Sequence, residues 1–266
     1  MRLIVIAAAV TALLALLIDR AASSTHPTVP DGAPPLSLPP RDCIAGPIAC
    51  AELIEIPPRG YGYIDQRLED EVTRSDSTSF ARRDLVMLVR YAAAKVARDA
   101  SAWRTGNGGD LVLGDASEAD GATPGTHLGR IRHPLHTHED GRDIDIAYYQ
   151  RNTRDNALRP VCRHWESVDD SDYRDAYRCT GPAKHLDAWR TAFLVAAFLE
   201  SPRVRVIGMD ARVAQRVVAV LSLLCSQRLV DQSACERVDR IAFESHDMRK
   251  GWFISHHNHL HVSLLQ

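Results

Sequence analysis

Seven of the twelve histidines in this 266-residue chain fall into two short windows, His133, His136 and His138 in the first and His256, His257, His259 and His261 in the second. The first window runs into HTHEDGRDIDI, residues 136–146, which sets two imidazoles and four carboxylates within eleven positions. A solvated polar loop would explain either window alone; the two together point to metal ligation. Neutral imidazole and carboxylate are the usual nitrogen and oxygen ligands of zinc, and three protein ligands with one open place make a catalytic rather than a structural site. The helical zinc-peptidase pattern HExxH is missing, because Arg stands at position 142 where the second histidine would follow His138-Glu139. A site here has to be built from strands and loops.

Strand parity says how. Side chains two apart share one face of a strand. In HLHVSLL, residues 259–265, His259 and His261 fall on one side and Leu260, Val262 and Leu264 on the other. In DIDIAYY, residues 143–149, Asp143 and Asp145 share a side with Ile144 and Ile146 opposite. Both segments read as strands whose apolar faces anchor in the core while their polar faces hold ligands rigidly.

The remaining elements form a mixed set. Ser77, Thr78 and Ser79 offer caps for a helix from about Phe80 to Ala100, with Leu85, Leu88, Val89, Ala92, Val96 and Ala97 on one face. Thr105 to Pro134 reads as a long Gly- and Asp-rich loop with at most a short strand at Leu111–Leu113, and loops of that length tend to be functional or disordered. Further elements are an amphipathic helix near Leu186–Leu199, a strand at Val204–Ile207 and a helix near Ala211–Cys225. Without a βαβ rhythm or an internal repeat, the expectation is an α+β fold with a small antiparallel sheet flanked by helices and the metal site on the sheet.

The chain opens with Arg2 and an uncharged, apolar sixteen-residue run from Leu3 to Ile18, shorter than the roughly 20 residues of a spanning helix. Residues 1–24 therefore read as a signal peptide or an N-terminal anchor, a possible membrane tether. Residues 25–60 carry nine of the fourteen prolines and read as an extended linker or arm, leaving 61–266 as the folded domain. Six cysteines lie beyond the apolar run, an even count that suits an oxidising compartment, and their local couples suggest Cys43–Cys50, Cys162–Cys179 and Cys225–Cys235. No CxxC occurs to support a zinc ribbon. Lys plus Arg (32) nearly balances Asp plus Glu (34), which argues against nucleic acid as a partner. Trp103, Trp165 and Trp189 read as packing residues, His127, His164, His185 and His246 as surface residues, and the acidic stretch 166–172 as a solvated loop without EF-hand spacing.

HxxGxxID, here His138, Gly141, Ile144 and Asp145, followed far downstream by HxH at His259 and His261, resembles the zinc peptidases grouped with lysostaphin, the D-Ala-D-Ala dipeptidases and the hedgehog signalling domain. Within that group the closer likeness is to penicillin-insensitive murein endopeptidases. It spans roughly residues 80–266 and is supported by Gly109-Asp110-Leu111, by GRDIDI, by the helix ending in Leu224-Cys225, and by Trp252-Phe253 leading into HxxHxH and Val262. Two features depart from the pattern. Leu135 stands where the family carries a further histidine three residues before the ligand, with His133 and His136 nearby, and the loop from Gly114 to His133 is longer than usual.

The resemblance implies that His138, Asp145 and His261 bind Zn2+ and that His259 is the catalytic base with His256 beside it; Asp143 reads as a residue that orients a ligand, as sites of this type commonly need. His136 and Asp143 share the seven-residue separation of His138 and Asp145, but Gly141 and Ile144 fit the family only with the latter pair. The implied activity is hydrolysis of amide bonds in peptidoglycan peptides without a covalent intermediate, by an exported protein of the periplasm or cell envelope. Two alternatives stand beside it. One is a weakly active or inactive zinc-containing cell-wall binding domain, as the hedgehog branch suggests, which retention of His259 argues against. The other is a D,D-carboxypeptidase, dipeptidase or amidase on the same scaffold.

Overall fold

The computed structural model describes residues 37–66, 78–129, 131, 133, 134, 136–164, 178–243 and 256–266. The N-terminal apolar run, Ser77, Leu135, Trp165, the stretch 166–172, His246 and Trp252-Phe253 lie outside them. In chain order the elements are α1 (Pro47–Ala51), β1 (Leu53–Glu55), β2 (Arg59–Gly60), β3 (Tyr63–Asp65), β4 (Phe80–Arg82), α2 (Arg83–Asp99), β5 (Leu111–Leu113), β6 (Asp143–Ala147), α3 (Ala188–Leu199), β7 (Val204–Met209), α4 (Ala211–Ser226), α5 (Gln232–Cys235), β8 (Ile241–Phe243) and β9 (His259–Leu264).

The fold is α+β, but its main sheet is neither small nor wholly antiparallel. Seven strands run in the order β2-β3-β5-β6-β9-β7-β8, and a separate antiparallel pair joins β1 to β4. The antiparallel centre β5-β6-β9-β7 matches the expectation. Parallel pairs β3/β5 and β7/β8 then extend it on both sides. Both added strands are three residues long and too short to show a period of two. From residue 37 onward the Pro-rich segment is built into this fold: it carries α1, pairs β1 with β4, and adds β2 as an edge strand.

The helix expected from Phe80 starts at Arg83, because Phe80–Arg82 pair with Leu53–Glu55 as a strand. Thr78 is therefore no helix cap. Asp187 and Asp210 cap α3 and α4, each carboxylate accepting from two backbone N–H groups of the first turn. The helix α3 is buried almost all round between α2 and α4, where an amphipathic helix was expected. Trp103 and Trp189 pack edge-to-face at 6.4 Å, as core aromatics do.

Ile144, Ile146, Leu260, Val262 and Leu264 sit at or below 1% exposure on one face of β6 and β9. Each contributes roughly 1.5–3 kcal/mol by leaving water. Cys43–Cys50, Cys162–Cys179 and Cys225–Cys235 are bonded, with no free cysteine. Three such bridges fit a protein that folds in an oxidising compartment. Among the described residues no helix is long and apolar enough to cross a membrane.

Candidate metal centre

The β6/β9 register sets Asp145 directly opposite His261 and Ala147 opposite His259. Asp143, Asp145, His259 and His261 therefore share one face, and the core aliphatics take the other. On the far side of β9, Gly208 opposes His261 and brings no side chain to crowd it.

The first histidine window reaches this face by an irregular path. His136, His138 and Asp140 all have positive φ (70°, 57° and 56°), a conformation that non-glycine residues hold only where surrounding contacts impose it. Gly141 follows at φ 64°; a Cβ there would lie 2.3 Å from Leu53 Cδ2 and 2.7 Å from the Arg82 nitrogen. Its carbonyl accepts from Arg82 N–H at 2.8 Å, tying the turn to β4. The glycine of the HxxGxxID pattern is thus required by backbone and by space. Gly114 lets a second segment cross Asp145, whose N–H donates to Asp115 O while its carbonyl accepts from Gly114 N–H, both at 2.8 Å.

Three imidazoles converge on one oxygen. Asp145 Oδ1 lies 3.0 Å from His261 Nδ1, 3.4 Å from His138 Nε2 and 3.5 Å from His259 Nε2. The opposite nitrogens of two rings are committed as donors: His138 Nδ1–H to Ala116 O at 3.0 Å, and His259 Nδ1–H to Asn258 Oδ1 at 2.7 Å. His261 Nε2 faces Asp143 Oδ1 at 3.0 Å. Unless protonated, His138 and His259 therefore point bare lone pairs at a carboxylate.

Burial acts against protonation of both rings. It lowers His138, with Asp145 only partly offsetting it, and takes His259 down to about 3. Burial would also lower His261, yet its hydrogen bonds to Asp143 and Asp145 outweigh this and raise it to about 9. Asp145 is held well below the carboxylate range: burial pushes it up, and His259, His138 and His261 more than reverse that. Neutral lone pairs facing a charged oxygen suit a cation among them. Zinc bonds of about 2.1 Å in a tetrahedron place neighbouring ligand atoms about 3.4 Å apart, close to the 3.0, 3.4 and 3.5 Å from Asp145 Oδ1 to the three ring nitrogens.

The ring of His133 lies 4.1 Å from that of His138, between centroids, and its Nδ1 is 3.9 Å from Asp145 Oδ2. Its Nε2 meets Asp115 Oδ2 at 2.9 Å, and Asp115 Oδ1 in turn accepts from Thr78 Oγ1 at 2.6 Å. His133, His138 and Asp145 form a group that could hold a metal ion, their ligand atoms all lying within 4.8 Å of one another. This set overlaps the expected His138, Asp145 and His261 but is not identical to it: His133 stands in the place of His261, which itself meets Asp145 Oδ1 at 3.0 Å.

Comparison with protein-family models and with curated proteins gives no match.

The His136 side chain is 87% exposed and among the described residues pairs with Glu139 at 3.3 Å, whereas His138 meets Asp145 at 3.4 Å. The ring of His256 stands 5.0 Å from that of His259, with its carbonyl accepting from Tyr148 O–H at 2.8 Å. His164, expected at the surface, stacks 5.1 Å from His257. Asp115 and Asn258 support the centre without having stood out in the sequence, because single polar residues carry no spacing signal, and Thr78, read as a helix cap, instead donates to Asp115. Two surface hollows, of about 290 and 390 Å³, share no residue with the centre. The Arg190 guanidinium lining the larger is held by Asp187, Thr105 and the carbonyls of Ala100 and Trp103.

Proposed function

We propose that this protein is an exported zinc peptidase that hydrolyses amide bonds in peptidoglycan peptides, acting as a murein endopeptidase. The observation that carries the reading is the convergence of His138 Nε2, His261 Nδ1 and His259 Nε2 on Asp145 Oδ1 on the polar face of the β6/β9 pair. In this reading His138, Asp145 and His261 hold the ion. Zinc bound there supplies a Lewis acid for the scissile carbonyl and a water of lowered pKa, from about 15.7 toward roughly 7.

The chain's own residues account for the rest. The Ala116 carbonyl fixes the His138 tautomer so that Nε2 faces inward, and Asp143 accepts from His261 Nε2–H, leaving Nδ1 for the ion. Asn258 does the same for His259, whose Nε2 is left able to take a proton from the attacking water and return it to the leaving amine. His259 lies on the same strand face as the ligand His261 and opposite Ala147, a small neighbour that leaves room beside it. The peptidoglycan substrate rests on the resemblance of HxxGxxID and HxH, and export on the N-terminal apolar run together with the three disulfides.

Purified sacculi incubated with the protein should release soluble muropeptides, stop doing so in chelator, and resume when zinc is restored. Zinc retention with no release from sacculi would favour a binding domain instead.

A further inference from the structure

The long loop after Gly114 carries a second cluster, separate from the residues around Asp145. Glu118 Oε2 lies 3.1 Å and Asp120 Oδ2 2.9 Å from His127 Nε2, and the three ligand atoms all fall within 4.8 Å of one another. A lone surface pairing would be unremarkable, since exposed carboxylates often meet a histidine without any ion. Glu118 makes this one different. It is only 7% exposed, and among the described residues its Oε2 accepts no hydrogen bond, while Oε1 takes one long bond from the His127 backbone N–H at 3.4 Å.

The backbone sets this geometry firmly. Glu118 N–H donates to Ala122 O and Gly121 N–H to Glu118 O, both at 2.9 Å, and Asp120 Oδ1 accepts from Ala122 N–H at 3.0 Å. Asp120 Oδ2 and Glu118 Oε2 are thereby turned toward the same imidazole nitrogen. One N–H serves one acceptor well, and Asp120 takes it at 2.9 Å. A buried charged oxygen left without a donor costs about 1–3 kcal/mol or more.

We propose that Glu118, Asp120 and His127 form a second divalent-cation site, selective for a zinc-type ion. Its imidazole nitrogen separates it from calcium and magnesium sites, which are built from oxygen, and imidazole nitrogen and carboxylate oxygen are both zinc ligands. The ion satisfies Glu118 Oε2 and pins together the two ends of the 118–127 turn. That turn follows directly on Asp115 and Ala116, whose side chain and carbonyl hold His133 and His138. The site shares no residue with the proposed catalytic centre and stands whether or not that centre binds metal.

The test is equilibrium dialysis of the full chain against zinc alone, with bound metal counted by mass spectrometry. His127→Ala and Asp120→Asn alter residues whose side chains are 65% and 58% exposed, so both variants should fold. Each should bind one zinc equivalent fewer than wild type, or bind it at least about tenfold more weakly. A His138→Ala/His261→Ala protein should keep the outer equivalent and lose it when His127→Ala is added, which separates failure of this site from failure of the other. Unchanged uptake in both His127→Ala and Asp120→Asn would overturn the site and leave His127 simply hydrogen-bonded between two carboxylates.

Discussion

His261 Nδ1 lies 3.0 Å from Asp145 Oδ1, and the two residues face each other directly across the β6/β9 pair. Two centrally placed strands, each with a fully buried aliphatic face, thus bring an imidazole and a carboxylate within reach of one ion. The placement is fixed by sheet register, so a slip of one residue would turn both groups into the core.

It follows that His261→Ala and His138→Ala should each abolish zinc retention at the centre and hydrolysis with it. Asp143→Ala should weaken zinc binding by about 10–100-fold, since it removes the acceptor that orients His261. His133→Ala should keep the ion; loss of zinc in that variant, with retention in His261→Ala, would make His133 the third ligand. Metal content of each purified variant decides between these sets.

His259→Ala is expected to behave differently. With its Nδ1 bonded to Asn258 and its Nε2 turned inward, His259 is assigned to proton transfer and not to holding the ion. The variant should retain zinc and lose about 10²–10⁴ in kcat, the usual weight of a positioned acid–base group. A loss expressed only as a rise in KM, with kcat unchanged, would remove it from that role.

The metal-free protein should be most stable near pH 6.5. His261, raised to about 9 by Asp143 and Asp145 against the pull of burial, adds stability that is complete below its unfolded value and lost as pH rises through 9. His259 and His138 are lowered by burial, so the unfolded chain takes up protons first as pH falls below 6.5 and stability drops on that side too. Melting temperature against pH in chelator should therefore pass through a maximum, and zinc should remove the alkaline decline. A Tm that keeps rising from pH 6.5 to 9 in chelator would contradict the His261 pairing.

Gly141→Ala should destabilise the fold by about 3 kcal/mol, because the position combines φ 64° with a Cβ path blocked by Leu53 and the backbone of β4. Activity should fall with it, since the same turn delivers His138. A melting curve equal to wild type would show that the turn relaxes at little cost.

Much of this centre was legible in the sequence. Alternation in DIDIA and HLHVSL is enough to put Asp143, Asp145, His259 and His261 on one face, because a half-patterned strand has only two sides. The three disulfides followed from local spacing. What escaped was everything fixed by distant backbone. His133 enters the centre and His136 leaves it through left-handed turns that no periodicity announces, and Asp115 arrives on a neighbouring segment. The short strands β3 and β8, which make the sheet larger and mixed, were invisible for the same reason: three residues cannot display a pattern. His127, read as a plain surface residue, proves to share two carboxylates.

The central claim meets its most direct test in mass spectrometry of muropeptides from sacculi treated with the purified protein. Cross-linked species should give way to uncross-linked products that have gained one water per bond cut, with the zinc-loaded wild type and not with His259→Ala. An unaltered muropeptide profile from a folded, zinc-loaded wild-type protein would contradict the account.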